Sequence, residues 1–189
     1  MREAMMRRLF TWFIPAVLIC AQPALADPLS GQKAISLVDG EGNKLLIGHV
    51  TFDPKSDAVA YQIDLSAGPF ADHFLSMRPF RCLEGADKHW CHVPYPYALR
   101  REVSDDNLTD MEYDLLFIHK GATEYGIDMW NGVYYRLQRD GDRLVGQLHE
   151  MDMGILSAPP EDGDLRPVSE EDIHVADPDS HWLPKVVID

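Results

Sequence analysis

The chain has 189 residues, with 17 basic and 31 acidic side chains and a formal net charge of −14. A field of that sign repels phosphate backbones and anionic headgroups, so nucleic acid is excluded as a partner. The acidity otherwise reads as the solubility of an exported protein.

Residues 1–26 have the pattern of a secretory signal peptide. Arg2, Arg7 and Arg8 make a basic start, a largely apolar run extends from Leu9 to Cys20, and Ala24-Leu25-Ala26 is a small-x-small cleavage site before Asp27. The run is too short to span a bilayer, and no later segment approaches the roughly 20 apolar residues a span needs. Cys20 does not mark a lipid anchor, because Val17-Leu18-Ile19 places a bulky residue directly before it. Cleavage after Ala26 would remove three arginines and one glutamate. The mature chain would keep 163 residues, 14 of them basic and 30 acidic, with a net charge of −16. The expected location is the periplasm or the exterior, and the size suits one domain with its own core.

A β domain is expected over residues 27–156. Ile35-Ser36-Leu37-Val38 and Lys44–Phe52 flank the turn residues Asp39–Asn43, which predicts a hairpin. Val59, Tyr61, Ile63 and Leu65 alternate with Ala60, Gln62 and Asp64, the period of a half-buried strand. Phe74–Leu83 reads as the next strand. Trp90–Tyr97 carries Pro94 and Pro96 two residues apart, so both missing donors fall along one edge. That segment is expected at a sheet edge or in a polyproline-like extension, and not as a central strand. Arg100–Asp110 reads as a polar loop, and Asp105–Asp110 within it as a solvated acidic turn. A calcium loop is excluded there because Asp110 stands where glycine is required and Leu116 where the bidentate glutamate should be. For Glu112–Lys120 the alternation of Tyr113, Leu115 and Phe117 favours a strand over the helix that Thr109–Glu112 could cap. Val133–Leu137 and Leu144–Leu148 flank an Asp-Gly turn at Arg139–Asp142, a second hairpin.

From Ser157 to Asp189 the chain holds nine acidic and two basic side chains and five prolines. His181-Trp182-Leu183 and Val186-Val187-Ile188 are too apolar for a free tail. The segment is expected to be an irregular arm that wraps the β domain and docks by its last eight or so residues. Together these elements predict an all-β, single-domain antiparallel fold, either a small barrel or a β-sandwich. The barrel resembles the lipocalins in architecture alone, a likeness that carries no chemistry.

The stretch from Met77 to Tyr97 is the densest in candidate residues. Cys82 and Cys91 are the two cysteines left after cleavage, and an oxidising compartment makes a disulfide between them the expectation. The pair lacks the C-x-x-C spacing of a redox or metal motif, and His89 and His92 alone do not make a specific metal site. Trp90, His92, Tyr95 and Tyr97, with Tyr125, Asp128, Trp130 and Asn131, supply the aromatic and polar groups from which ligand pockets are built. The same residues also serve to fill the core of a small β domain. No serine sits in a G-x-S-x-G frame, and no glycine loop suits a phosphate. His149, Glu150 and Asp152, with His119, form the strongest catalytic alternative, a hydrolase or metal-assisted site. The leading expectation is a non-catalytic exported binding or accessory protein for a small apolar or aromatic ligand or an envelope protein. It has no cofactor and no assigned metal or catalytic residue. An envelope interaction module using Val93–Tyr97 and the acidic arm is the remaining alternative.

Overall fold

The computed structural model describes residues 27–76, 79–160 and 163–189. The signal segment, and Met77 and Arg78 at the head of the cysteine-bearing stretch, lie outside them. In chain order the elements are β1 (Gly31–Val38), β2 (Lys44–Pro54), β3 (Val59–Leu65), β4 (Ala71–Phe74), β5 (Pro79–Glu84), β6 (Lys88–His92) and β7 (Glu102–Val103). Then follow α1 (Thr109–Asp114), β8 (Phe117–Gly121), β9 (Gly132–Asp140), β10 (Arg143–Met151), β11 (Ile173–Val175) and β12 (Lys185–Ile188). All the strands join one antiparallel sheet in the order β4-β5-β6-β8-β9-β10-β12-β1-β2-β3-β7, with β11 added beside β10. The fold is therefore all-β. The sheet is not closed: β4 and β7 stand at its two ends.

Both expected hairpins form. Asp39 Oδ1 accepts from the backbone N–H of Glu41 and Asn43 and so ties the β1–β2 turn. The β9–β10 turn places Gly141 at φ 66°, where a side chain would be strained. Three expectations need correction. Phe74–Leu83 is not one strand: the chain reverses between β4 and β5, and Pro79 takes the first position of a strand, where its missing donor does little harm. Trp90–His92 belongs to β6, an interior strand between β5 and β8, and only Val93–Tyr97 leaves the sheet. Glu112–Lys120 is split, its first residues completing α1 and the rest forming β8.

The sheet buries both faces over β5, β6, β8 and the first half of β9. One face carries Leu83, Trp90, Phe117, Val133 and Tyr135, which pack with Ile35, Leu37, Ile47 and Val186 into the larger core. Trp90 Nε1 donates to Tyr135 Oη at 3.1 Å, and Tyr135 in turn donates to the Leu183 carbonyl at 2.8 Å, so neither buried polar group is orphaned. The other face carries Cys82, Cys91, Ile118, Tyr134 and Met151 under Tyr95, Tyr113, Leu116 and Leu156. Cys82 and Cys91 form a disulfide across β5 and β6, buried in this second core.

β12 lies between β10 and β1 and pairs with both. Gly146 of β10 makes the space for it: a Cβ there would come 2.4 Å from Val186 Cγ1. The arm therefore supplies an interior strand of the sheet in addition to the contacts made by β11.

α1 has only six residues and no side-chain N-cap. Glu112 does not cap it but reaches into β9. Its carboxylate accepts from Tyr134 Oη and, at 2.7 Å, from the Leu137 N–H. Burial pushes its carboxyl above the usual carboxylate range, opposed by those two hydrogen bonds and by Arg136. Asp110 is not solvated as expected. It is 1% exposed and accepts from Arg166 Nε of the arm at 2.6 Å. The arginine's charge is what permits a carboxylate at that depth. Asp114 accepts from Tyr61 Oη at 2.9 Å and from Arg101 Nε at 3.1 Å.

Glu112→Ala strands the Tyr134 hydroxyl and Leu137 amide in the interior and is expected to cost about 3–5 kcal/mol in urea unfolding. Glu112→Gln keeps an acceptor and should cost less than half as much; equal losses would show that packing alone matters there. Replacing Cys82 and Cys91 together by alanine releases a short loop in the unfolded chain, an expected loss of about 2–3 kcal/mol. That loss is read as a drop in urea midpoint against the oxidised parent.

Candidate functional site

After His92 the chain cannot continue as a paired strand through Pro94 and Pro96, and it leaves the sheet. The Val93–Tyr97 segment then forms a wall between two depressions. On one side is an apolar groove of about 270 Å³. Phe80, Leu116 and Ile118 form its floor, Pro94, Tyr95 and Pro96 one bank, and Ile127, Met129, Met153 and Leu156 the other. Short helical turns hold the second bank. Asp128 Oδ1 accepts from the Trp130 N–H at 3.1 Å, and Asp152 Oδ1 accepts from the Gly154 N–H at 2.7 Å, so each carboxylate caps the turn that carries the methionine beside it. Tyr95 is fixed by its hydroxyl donating to the Leu165 carbonyl at 3.0 Å and by edge-on packing against Tyr97 and Tyr113.

On the other side is a polar cleft of about 540 Å³, lined by Tyr61, His92, Tyr95, Arg101 and Asp114 among others. Asp114 is its centre, held by Tyr61 and Arg101 as described, while its backbone carbonyl meets His92 Nε2 at 3.0 Å. Arg101 has φ 53°, an unfavourable backbone for a side-chain-bearing residue. The ion pair with Asp114 and the Tyr61 N–H bond to its carbonyl keep it there. Burial lowers the His92 pKa, against the Asp114 carbonyl bond. Burial and the neighbouring Asp114 carboxylate raise that of Tyr61. Both groups are thus held neutral at neutral pH, and the one carboxylate is already paired. The cleft offers hydrogen bonds and shape, without a free base beside a nucleophile.

The eight residues expected to form a ligand site are divided by the fold. Tyr95 lines both depressions and His92 the cleft. Tyr97 is half-buried and donates to the Leu156 carbonyl at 3.4 Å. Asp128 and Asn131 belong to the turn beside Met129, and Tyr125 and Trp130 stand out at 93% and 74% exposure. Trp90 lies on the opposite face of the sheet, inside the larger core. The disulfide region and residues 125–131 therefore do meet, through Val93–Pro96 and through Ile127 and Met129. The alternative catalytic set converges only in part: His149 turns Nδ1 toward the Gln147 carbonyl of its own strand and Asp152 is a cap, while His119 and Glu150 do meet.

Glu150 has other company. Among the described residues, two groups bring His and Glu ligand atoms within 4.8 Å of one another: His119, Glu150 and His181, and His73, Glu84 and His89. His181 Nε2 is 2.8 Å from Glu150 Oε1, and His73 Nε2 is 2.9 Å from Glu84 Oε1. Burial holds His119 down to about pKa 4, aided by Lys88 and His181. The first group draws on segments far apart in sequence, and the second on the successive strands β4, β5 and β6. The catalytic alternative read from the sequence includes both His119 and Glu150; no local signal marks His181 as their neighbour.

No protein-family model, curated protein or solved structure matches this chain, and the site is read from its own geometry.

Unfolding would free His119 to take up a proton near its ordinary pKa of 6.5, whereas the folded chain keeps it neutral down to about pH 4. Its neutral burial therefore stabilises the fold above about pH 6.5, and that contribution is lost as pH falls toward 4. Urea midpoints of parent and His119→Gln, measured with chelator at pH 7 and pH 4.5, test this. The variant should lose less stability across the interval than the parent, and a parallel fall would contradict the assignment.

Proposed function

We propose that the protein is an exported, non-catalytic binding protein that holds a small apolar or aromatic molecule in the groove between Val93–Pro96 and Ile127–Met129. On this reading the chain is cleaved after Ala26 and works in the periplasm, with which its disulfide is compatible. The observation that carries the reading is the groove itself, an apolar hollow whose lining comes from five separate segments. The larger-core face of the sheet is instead packed by Trp90, Phe117 and Tyr135. Met129 and Met153 are unbranched and polarisable, suited to closing on ligands of differing shape. Tyr125 and Trp130 bracket Ile127 and Met129 while packing on almost nothing, as aromatics do where a ligand completes the surface. In the neighbouring cleft the acid and base groups are mutually satisfied, which favours binding over catalysis.

The test is a fluorescence titration of the oxidised mature chain with 1-N-phenylnaphthylamine, followed by probe emission and by quenching of Trp130. Met129→Gln, at a half-exposed position, should weaken binding about tenfold, the equivalent of about 1.4 kcal/mol. Leu46→Gln, at an exposed apolar position of β2, should leave it unchanged. Equal affinity in parent and Met129→Gln, or no saturable binding, would overturn the groove as the site.

A further inference from the structure

His119, Glu150 and His181 come from β8, β10 and the arm, and they meet beside Trp90 on the larger-core face of the sheet. We propose that these three residues form a binding site for a zinc-class divalent cation, which clips the arm to the sheet just before β12. Two imidazoles and one carboxylate are a borderline-soft N/O donor set, which suits Zn²⁺ and leaves a fourth position open. It is too poor in oxygen for Ca²⁺ or Mg²⁺, which need six or more oxygen ligands or ordered waters in their place.

Four observations support the site. One ligand atom from each residue already lies within 4.8 Å of the other two. Tetrahedral zinc with bonds of about 2.0–2.1 Å holds its ligands about 3.3 Å apart, so closure needs a movement of about an ångström or two. Glu150 can supply that movement, because its side chain is 49% exposed and leads to solvent. Second, the imidazoles are held by packing: Trp90 stacks on His119 with ring centres 5.4 Å apart and presents its edge to His181 at 5.7 Å. A rigid apolar support of this kind orients metal ligands and keeps water from their far side. Third, His181 is 6% exposed, yet its Nδ1 is buried with no hydrogen-bond partner. Its other ring nitrogen, Nε2, meets Glu150 at 2.8 Å and is the atom placed to take the cation. Fourth, the charge around the site admits a cation. Lys88 and Glu124 both face His119, and the Lys88 ammonium is engaged by the Ser180 carbonyl at 3.0 Å, within a chain that is strongly acidic. A lysine faces each cluster, Lys88 the first and Lys120 the second; Lys120 is the buried one, so its charge is less screened from a cation beside His89.

The experiment uses the oxidised mature chain stripped with chelator and titrated with Zn²⁺ by calorimetry and with Co²⁺ by its visible ligand-field absorption. One ion per chain is expected, with a tetrahedral cobalt spectrum and a melting temperature that rises with zinc concentration. Glu150→Gln, at an exposed position, and His119→Gln should each weaken binding at least about tenfold and abolish the thermal shift, while His73→Gln leaves both intact. Absence of stoichiometric binding, unchanged affinity in Glu150→Gln and His119→Gln, or loss in His73→Gln instead would overturn the proposal. None of these results bears on probe binding in the groove, so the two readings stand or fall separately.

Discussion

The structure depends on three carboxylates carried by a helix too short to exist alone. An isolated helix of six residues has no stability in water, and α1 persists only because its side chains are fixed by tertiary partners. Asp110 binds the arm through Arg166 and receives the Glu102 N–H of β7. Glu112 binds β9, and Asp114 binds β3 through Tyr61. Tyr113 adds a fourth tie, its hydroxyl accepting from the Val168 N–H at 2.7 Å. One and a half turns of helix thus fasten the β3–β7 end of the sheet, the interior strand β9 and the arm to one another. The two depressions inherit their shape from it: Leu116, just after the helix, floors the groove, and Asp114 centres the cleft. A charge at Glu112 is tolerated because each of its oxygens has a donor, and this is why the loss of that side chain costs more than its neutralisation.

The two faces of the sheet are covered differently. On the larger-core face Trp90, Phe117 and Tyr135 bring three large rings together, and Ile35, Leu37 and Ile47 pack with them. On the other face the cover is irregular. It consists of a proline segment that cannot pair, two short helical turns and part of the arm, none of which can follow the sheet surface closely. A hollow forms where the pieces fail to meet. The cavity is thus a consequence of the covering elements, and its lining can vary without disturbing the larger core.

What was legible in the sequence is what is local. The hairpins at Asp39–Asn43 and Arg139–Asp142 follow from turn residues and flanking alternation, and both form as read. α1 and β8 were misread as a single strand because Tyr113, Leu115 and Phe117 are all buried, so a helical end followed by a strand imitates a strand's period. Trp90 was assigned to a ligand site because both faces of β6 are buried, and alternation cannot distinguish one buried face from the other. The solvated reading of Asp110 failed because its partner, Arg166, is 56 residues away. That His181 joins His119 and Glu150 is hidden for the same reason: the path of the arm across the sheet decides it.

The arm shows how far such non-local pairing reaches. In the hydrogen-bonded order of strands, β12 is the link between β10 and β1, and hence between the two halves of the sheet. The half with the disulfide can gather early, since Cys82 and Cys91 are cross-strand neighbours in a short hairpin. The halves can join only when β12, the last strand in the chain, arrives, and contacts of that sequence separation are slow to form. Until then the edges of β10 and β1 stand unpaired, a state prone to wrong association. The elements just before β12 bear on that step: His181 reaches Glu150 on β10, and the Leu183 carbonyl receives the Tyr135 hydroxyl. Both contacts deliver the strand to its slot, and the strong negative charge of the chain keeps unjoined molecules apart while it docks.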